Sequence, residues 1–210
     1  MKIKICGLTN EKEAAYLNRE HVDYAGMVLF FPKSRRNISL ERASSIMKVL
    51  SEDIKRVAVT VEPDAEQVRQ IEQAGFDYIQ IHGRVSGELL ECIHIPVLKA
   101  FNVKDMEQFE YYSGCPQIAG YVFDAAEPGS GKTFDWSLME RVPGDGKLLL
   151  LAGGLCPENV AQALREVKPD GVDVSSGVEY DDMPGKDPEK IMHFVREVRR
   201  IDDRLDTGTV

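Results

Sequence analysis

Lys2-Ile3-Lys4-Ile5-Cys6-Gly7-Leu8-Thr9-Asn10 opens the chain, and its reading decides the fold class. Side chains of a β-strand alternate between faces. Ile3 and Ile5 therefore share one face, while Lys2, Lys4 and Cys6 share the other. Gly7 turns the chain, and Thr9 or Asn10 can cap a helix that begins near Glu11. A cysteine is by itself a small, usually buried hydrophobe. Here it ends a strand that carries two lysines on the same side, just before a βα loop, where α/β folds place their chemistry.

The same strand-then-helix signal recurs outward from this stretch. Strands are predicted over 24–30, 55–61, 77–81, 96–101, 117–124, 147–152 and 170–174. Helices are predicted over 11–20, 40–50, 64–74, 86–93, near 136–141, and over 157–167 and 187–204. The 40–50 segment shows the helical period plainly, with Leu40, Ala43, Ile46, Met47 and Leu50 apolar. The connection over 104–114 reads as short and irregular. Leu148-Leu149-Leu150-Leu151 is a continuous apolar run, as expected of a strand buried on both faces. Eight strand–helix units in one chain favour a closed (β/α)8 TIM barrel, of class α/β, over an open doubly wound sheet. The barrel is expected to span 1–205 as a single domain, with 206–210 a frayed tail.

Composition narrows the function. The chain has 210 residues, 43% of them hydrophobic, enough for one sizeable core. A net charge of −9 disfavours a nucleic-acid partner. No apolar run approaches the ~20 residues of a membrane span, and no signal peptide is evident. Cys6, Cys92, Cys115 and Cys156 lie far apart and in no metal-ligand spacing. They read as reduced thiols of a cytoplasmic protein. Oligomeric state is left open between monomer and homodimer.

The candidate site residues cluster at strand ends. Strand seven runs into Gly153-Gly154 and strand eight into Ser175-Ser176-Gly177. Loops at those two ends commonly hold a phosphate in such barrels, through backbone N–H groups and hydroxyls. Gly129-Ser130-Gly131-Lys132-Thr133 resembles a P-loop but has Ala126 where the first glycine belongs, so it reads as a loop over the barrel mouth. Asp124 ends strand six and is a candidate acid or base. Arg36 follows strand two, where a guanidinium suits a carboxylate or phosphate. Its neighbours Lys33 and Arg35 read as a solvated basic loop. His82 ends strand four on the face of Gln80, and a lone histidine of this kind is more often structural than catalytic. Lys4 and Asp173 can pair across the seam between strands one and eight, since a buried lysine needs a partner. That cation is expected to lower the Cys6 thiol pKa.

Five stretches carry a family resemblance: Lys4-Ile5-Cys6-Gly7-Leu8-Thr9, Ile79-Gln80-Ile81-His82-Gly83, the segment from Gly129 to Trp136, Leu151-Ala152-Gly153-Gly154-Leu155 with Pro157-Glu158-Asn159-Val160, and Val172 to Glu179. In this order they resemble the phosphoribosylanthranilate isomerase family along essentially the whole chain. The resemblance implies a barrel enzyme of tryptophan biosynthesis, working without cofactor or metal on a small phosphorylated substrate. It implies Cys6 as general base, Asp124 as general acid and Arg36 facing the anthranilate carboxylate. It also implies a phosphate site at Gly154, Ser175, Ser176 and Gly177, and His82 is included among the substrate-binding residues. The chain departs from the family pattern at Thr60, Glu62, Asn37 and Phe123. Two other readings are a histidine-pathway phosphoribosyl isomerase, which uses two aspartates, and a non-catalytic phosphate-ligand binder.

Overall fold

The computed structural model describes residues 1–102, 108–124, 139, 142 and 144–206, with 203–206 as backbone alone. Eight parallel strands close into a barrel in sequence order. They are β1 (Lys2–Cys6), β2 (Tyr24–Val28), β3 (Lys55–Val61), β4 (Tyr78–His82), β5 (Val97–Asn102), β6 (Ile118–Asp124), β7 (Leu148–Leu151) and β8 (Gly171–Val174). The described helices are α1 (Glu11–Glu20), α2 (Leu40–Met47), α3 (Ala65–Gln73), α4 (Gly87–Glu91), α5 (Phe109–Ser113), α6 (Val160–Val167) and α7 (Pro188–Asp206).

The two-residue period of the strands sorts the apolar side chains into two cores. Ile3, Ile5, Ile79, Ile81, Phe101 and Phe123 point outward and pack with helix residues such as Leu17, Ile46, Ile71 and Phe194. Cys6, Val57, Val59, Leu98, Ala100, Val122, Leu150 and Ala152 fill the barrel interior. The leucine run of β7 divides by parity: Leu148 and Leu150 go to the interior cluster, Leu149 and Leu151 to the outer one. β1 meets β8 with Lys4 opposite Asp173, and meets β2 with Cys6 opposite Gly26.

Several boundaries differ from the sequence reading for local reasons. β2 stops at Val28 because Phe30 takes a left-handed φ of 58°. The connection expected to be irregular contains α5, held by Phe109 and Tyr112 against Phe101. α6 starts three residues late, because Asn159 folds back: its Oδ1 accepts from Cys156 N and its Nδ2 donates to Gly154 O. Asn10, not Thr9, caps α1, in a capping box with Glu13. α7 extends to Asp206, the first residue of the expected tail, and 207–210 lie outside the described residues. The Gly129–Thr133 loop with Lys132, and the helix expected near 136–141 apart from Met139, also lie outside them.

The departures from the family pattern have structural counterparts. Asn37 Oδ1 accepts from Phe31 N at 2.7 Å and closes the β2 loop. Thr60 Oγ1 donates to Gln80 O, and Glu62 Oε1 accepts from Arg84 N, tying β3 to the β4 loop. Phe123 stacks on Phe101 in the outer core, with centroids 5.4 Å apart.

Candidate active site

A cavity of about 470 Å³ opens at the carboxyl ends of the strands. Cys6, Arg36, His82, Asp124, Gly154, Ser175 and Ser176 all line it, so the barrel gathers residues that span most of the sequence.

At its floor Lys4 Nζ donates to Asp173 Oδ2 at 2.7 Å, both groups buried. Burial alone would push the Lys4 ammonium pKa down, but Asp173 and Cys6 more than offset it and hold it above the ordinary value. Burial raises the Asp173 carboxyl, against the pull of Lys4 and Lys186. Burial pushes the Cys6 thiol pKa up and outweighs the neighbouring Lys4 ammonium, which pulls it down as expected. Gly26 makes the arrangement possible: a Cβ there would lie 2.8 Å from Cys6 Sγ and 3.2 Å from Lys4 Nζ. His82 is neutral, its pKa lowered to about 3 by burial and by Lys4 and Lys99. Its Nε2 lies 2.8 Å from Gln80 Nε2. Gln80 Oε1 and Asp173 Oδ1 are buried and have no partner among the described residues.

The β7 and β8 loops pack against each other. Gly153 and Gly154 take positive φ values of 82° and 64°. Gly177 does not line the cavity. It sits in a 3-10 turn over Ser176–Val178, so close to the β7 loop that a Cβ would meet Leu155 O at 1.9 Å. The backbone N–H groups of Gly154, Ser176 and Gly177 donate to no acceptor among the described residues. The Ser175 hydroxyl, expected to help bind an anion, has protein partners here. Its Oγ donates to Cys6 O at 2.9 Å and accepts from Lys186 Nζ at 3.2 Å.

Glu179 and Lys186 escaped the sequence reading. Glu179 Oε1 accepts from Arg36 Nε at 2.5 Å and from Lys186 Nζ at 2.9 Å; its Oε2 accepts from Arg36 Nη2 and Arg35 Nη2. Although burial opposes ionisation, Arg36 and Lys186 lower its pKa to about 2. Lys186 is 1% exposed, and burial lowers its pKa against the pull of Glu179. Lys186 lies in a loop without periodicity, and no spacing linked it to Glu179. Arg35 and Lys33 were expected to be merely solvated, yet both line the cavity, and Arg35 is paired. The three cations around one carboxylate leave this wall positive in an acidic protein, which attracts anions.

A closed (β/α)8 barrel with a thiol, a carboxyl and a cationic wall around a cavity at the strands' carboxyl ends is built as a barrel enzyme. The family model for N-(5'-phosphoribosyl)anthranilate (PRA) isomerase matches residues 3–197. An N-(5'-phosphoribosyl)anthranilate isomerase of Acetivibrio thermocellus is 39% identical over 215 residues, covering 95% of this chain and 96% of the relative. The crystal structure of phosphoribosyl anthranilate isomerase from Thermotoga maritima superposes with a TM-score of 0.84 at 38% identity, covering 95% of this chain and 99% of that one. A phosphoribosyl anthranilate isomerase in complex with reduced 1-(o-carboxyphenylamino)-1-deoxyribulose 5-phosphate superposes at 0.82 with 35% identity, covering 95% and 99%. The chain belongs to the N-(5'-phosphoribosyl)anthranilate isomerase family of tryptophan biosynthesis. Among the described residues, no helix is long and apolar enough to cross a membrane.

Proposed function

We propose that this isomerase carries out the Amadori rearrangement of N-(5-phosphoribosyl)anthranilate to 1-(2-carboxyphenylamino)-1-deoxyribulose 5-phosphate, with Cys6 as general base and Asp124 as general acid. The observation that carries the reading is that Cys6, on β1, and Asp124, on β6, open onto one cavity from non-adjacent strands. A substrate lying between them has an acid on one side and a base on the other.

Asp124 gives its proton to the furanose oxygen, and the ring opens to the protonated Schiff base. The Cys6 thiolate then takes the proton from sugar C2, and the electron pair moves into a C1–C2 double bond. Tautomerisation of the resulting enolamine leaves the C2 ketone. Arg36 uses Nε and Nη2 on Glu179, and its Nη1 makes no bond to a described residue, leaving that edge for the anthranilate carboxylate. The amides of Gly154, Ser176 and Gly177 are the phosphate donors. His82, neutral beside Gln80, lines the pocket wall as a binding residue.

Loss of the fluorescence of phosphoribosylanthranilate on mixing is the test, and turnover also separates this reading from the histidine-pathway isomerase and from a non-catalytic binder. Cys6→Ser and Asp124→Asn should each lower kcat by about 10²–10⁴-fold with KM little changed. In the wild type kcat should depend on pH through the buried Cys6 thiol, whose pKa burial raises, and Cys6→Ser should lose that limb of the profile. A Cys6→Ser enzyme that keeps most of its turnover removes Cys6 from the mechanism.

A further inference from the structure

We infer that Glu179 is a positioning residue that registers the two ends of the site against each other, fixing Arg36 on one side and, through Lys186, the Ser175 loop on the other. The inference rests on the reading of Arg36 as the substrate's carboxylate partner.

The connections are continuous and almost wholly buried. Arg36 reaches Glu179 by two bonds, one to each carboxylate oxygen, which sets the plane of the guanidinium as well as its place. Lys186 Nζ donates to Glu179 Oε1 at 2.9 Å, to Ser175 O at 3.0 Å and to Ser175 Oγ at 3.2 Å, so all three of its protons are placed. Ser175 Oγ passes the constraint to Cys6 O. The backbone holds the two charged residues together as well. Glu179 and Lys186 form an antiparallel bridge, Tyr180 N donates to Gly185 O, and Lys186 N donates to Glu13 Oε1 of α1. One carboxylate thus joins the β2 loop, the β8 loop and the end of β1. Without it Arg36 is free to swing among rotamers, and its approach to a carboxylate is no longer set relative to the phosphate loop.

The charge balance points the same way. A substrate with a carboxylate and a phosphate needs a positive wall, but an unrestrained arginine binds either anion. Glu179 holds Nε and Nη2 and leaves the outer edge of the guanidinium toward the cavity.

A double-mutant cycle tests this. Glu179→Gln keeps the side-chain volume but turns an amide N–H toward a donor, and should raise KM about 10- to 100-fold while kcat falls less than about threefold. In an Arg36→Gln background the same change should raise KM by less than about threefold, because the residue through which Glu179 acts is already gone. An equal factor in both backgrounds, or an unchanged KM for Glu179→Gln alone, overturns the inference. If Glu179→Gln melts below the assay temperature, Glu179→Gln with Lys186→Met removes the stranded ammonium, and the same KM comparison is made on that protein. The underlying reading fails separately: wild type that does not turn over phosphoribosylanthranilate refutes the proposed function, and Arg36→Gln with unchanged KM refutes Arg36 as the carboxylate partner.

Discussion

Alanine at Gly177 is the sharpest single perturbation of the site's frame. Its Cβ would stand 1.9 Å from Leu155 O, 2.9 Å from Leu155 C and 3.0 Å from Cys156 Cα, all backbone atoms. No rotamer change relieves a clash with backbone, so the β7 and β8 loops must part by more than about 1 Å merely to bring this contact to the 3.0 Å that real Cβ atoms respect. Overpacking of this kind costs ~1–3 kcal/mol, and the upper end applies because both partners are main chain. For a chain of this size that lowers Tm by roughly 6–12 °C. The functional effect is larger than the loss of any one bond, since the amides of Gly154, Ser176 and Gly177 lie on the two segments forced apart. A misplacement near 1 Å is worth about 10²-fold in catalytic efficiency. Calorimetry, together with KM for phosphoribosylanthranilate and competitive inhibition by inorganic phosphate, reads both effects. KM should rise and phosphate should inhibit far less well. An alanine variant melting within about 2 °C of wild type with unchanged KM refutes the close packing of the two loops and the phosphate site proposed there.

Gly26→Ala should lower kcat far more than KM, because its methyl would crowd Cys6 Sγ and Lys4 Nζ on the cavity floor; an unchanged kcat removes that crowding from the account. Lys4→Met should destabilise by about 3–5 kcal/mol by stranding the buried Asp173, and chemical denaturation should show part of the loss recovered in Lys4→Met with Asp173→Leu. The ion pairs of Glu179 hold its pKa near 2 against an ordinary 4.5, so they stabilise fully above about pH 4.5 and weaken as pH falls toward 2. Urea midpoints taken down that range should fall more steeply for wild type than for Glu179→Gln; identical slopes contradict the pairing.

Fold class was legible in the sequence because it depends on local, repeated signals. The alternation in Lys2–Cys6, the leucine run of β7 and the cap at Thr9 or Asn10 follow from side-chain direction and hydrogen bonding within a few residues. The glycine and serine loops after β7 and β8 were legible for the same reason, each standing at the end of its own strand. Tertiary structure alone decided what depends on residues far apart in the chain. The Cys6 thiol is raised rather than lowered because burial, a property of the closed barrel, outweighs the lysine one pleat away. The Ser175 hydroxyl bonds Cys6 O, 169 positions distant. Glu179 meets Arg36 across 143 positions, and no period or motif connects them. Strand and helix identity is set by neighbours along the chain, whereas protonation and hydrogen-bond partners are set by whatever the fold brings within a few ångströms.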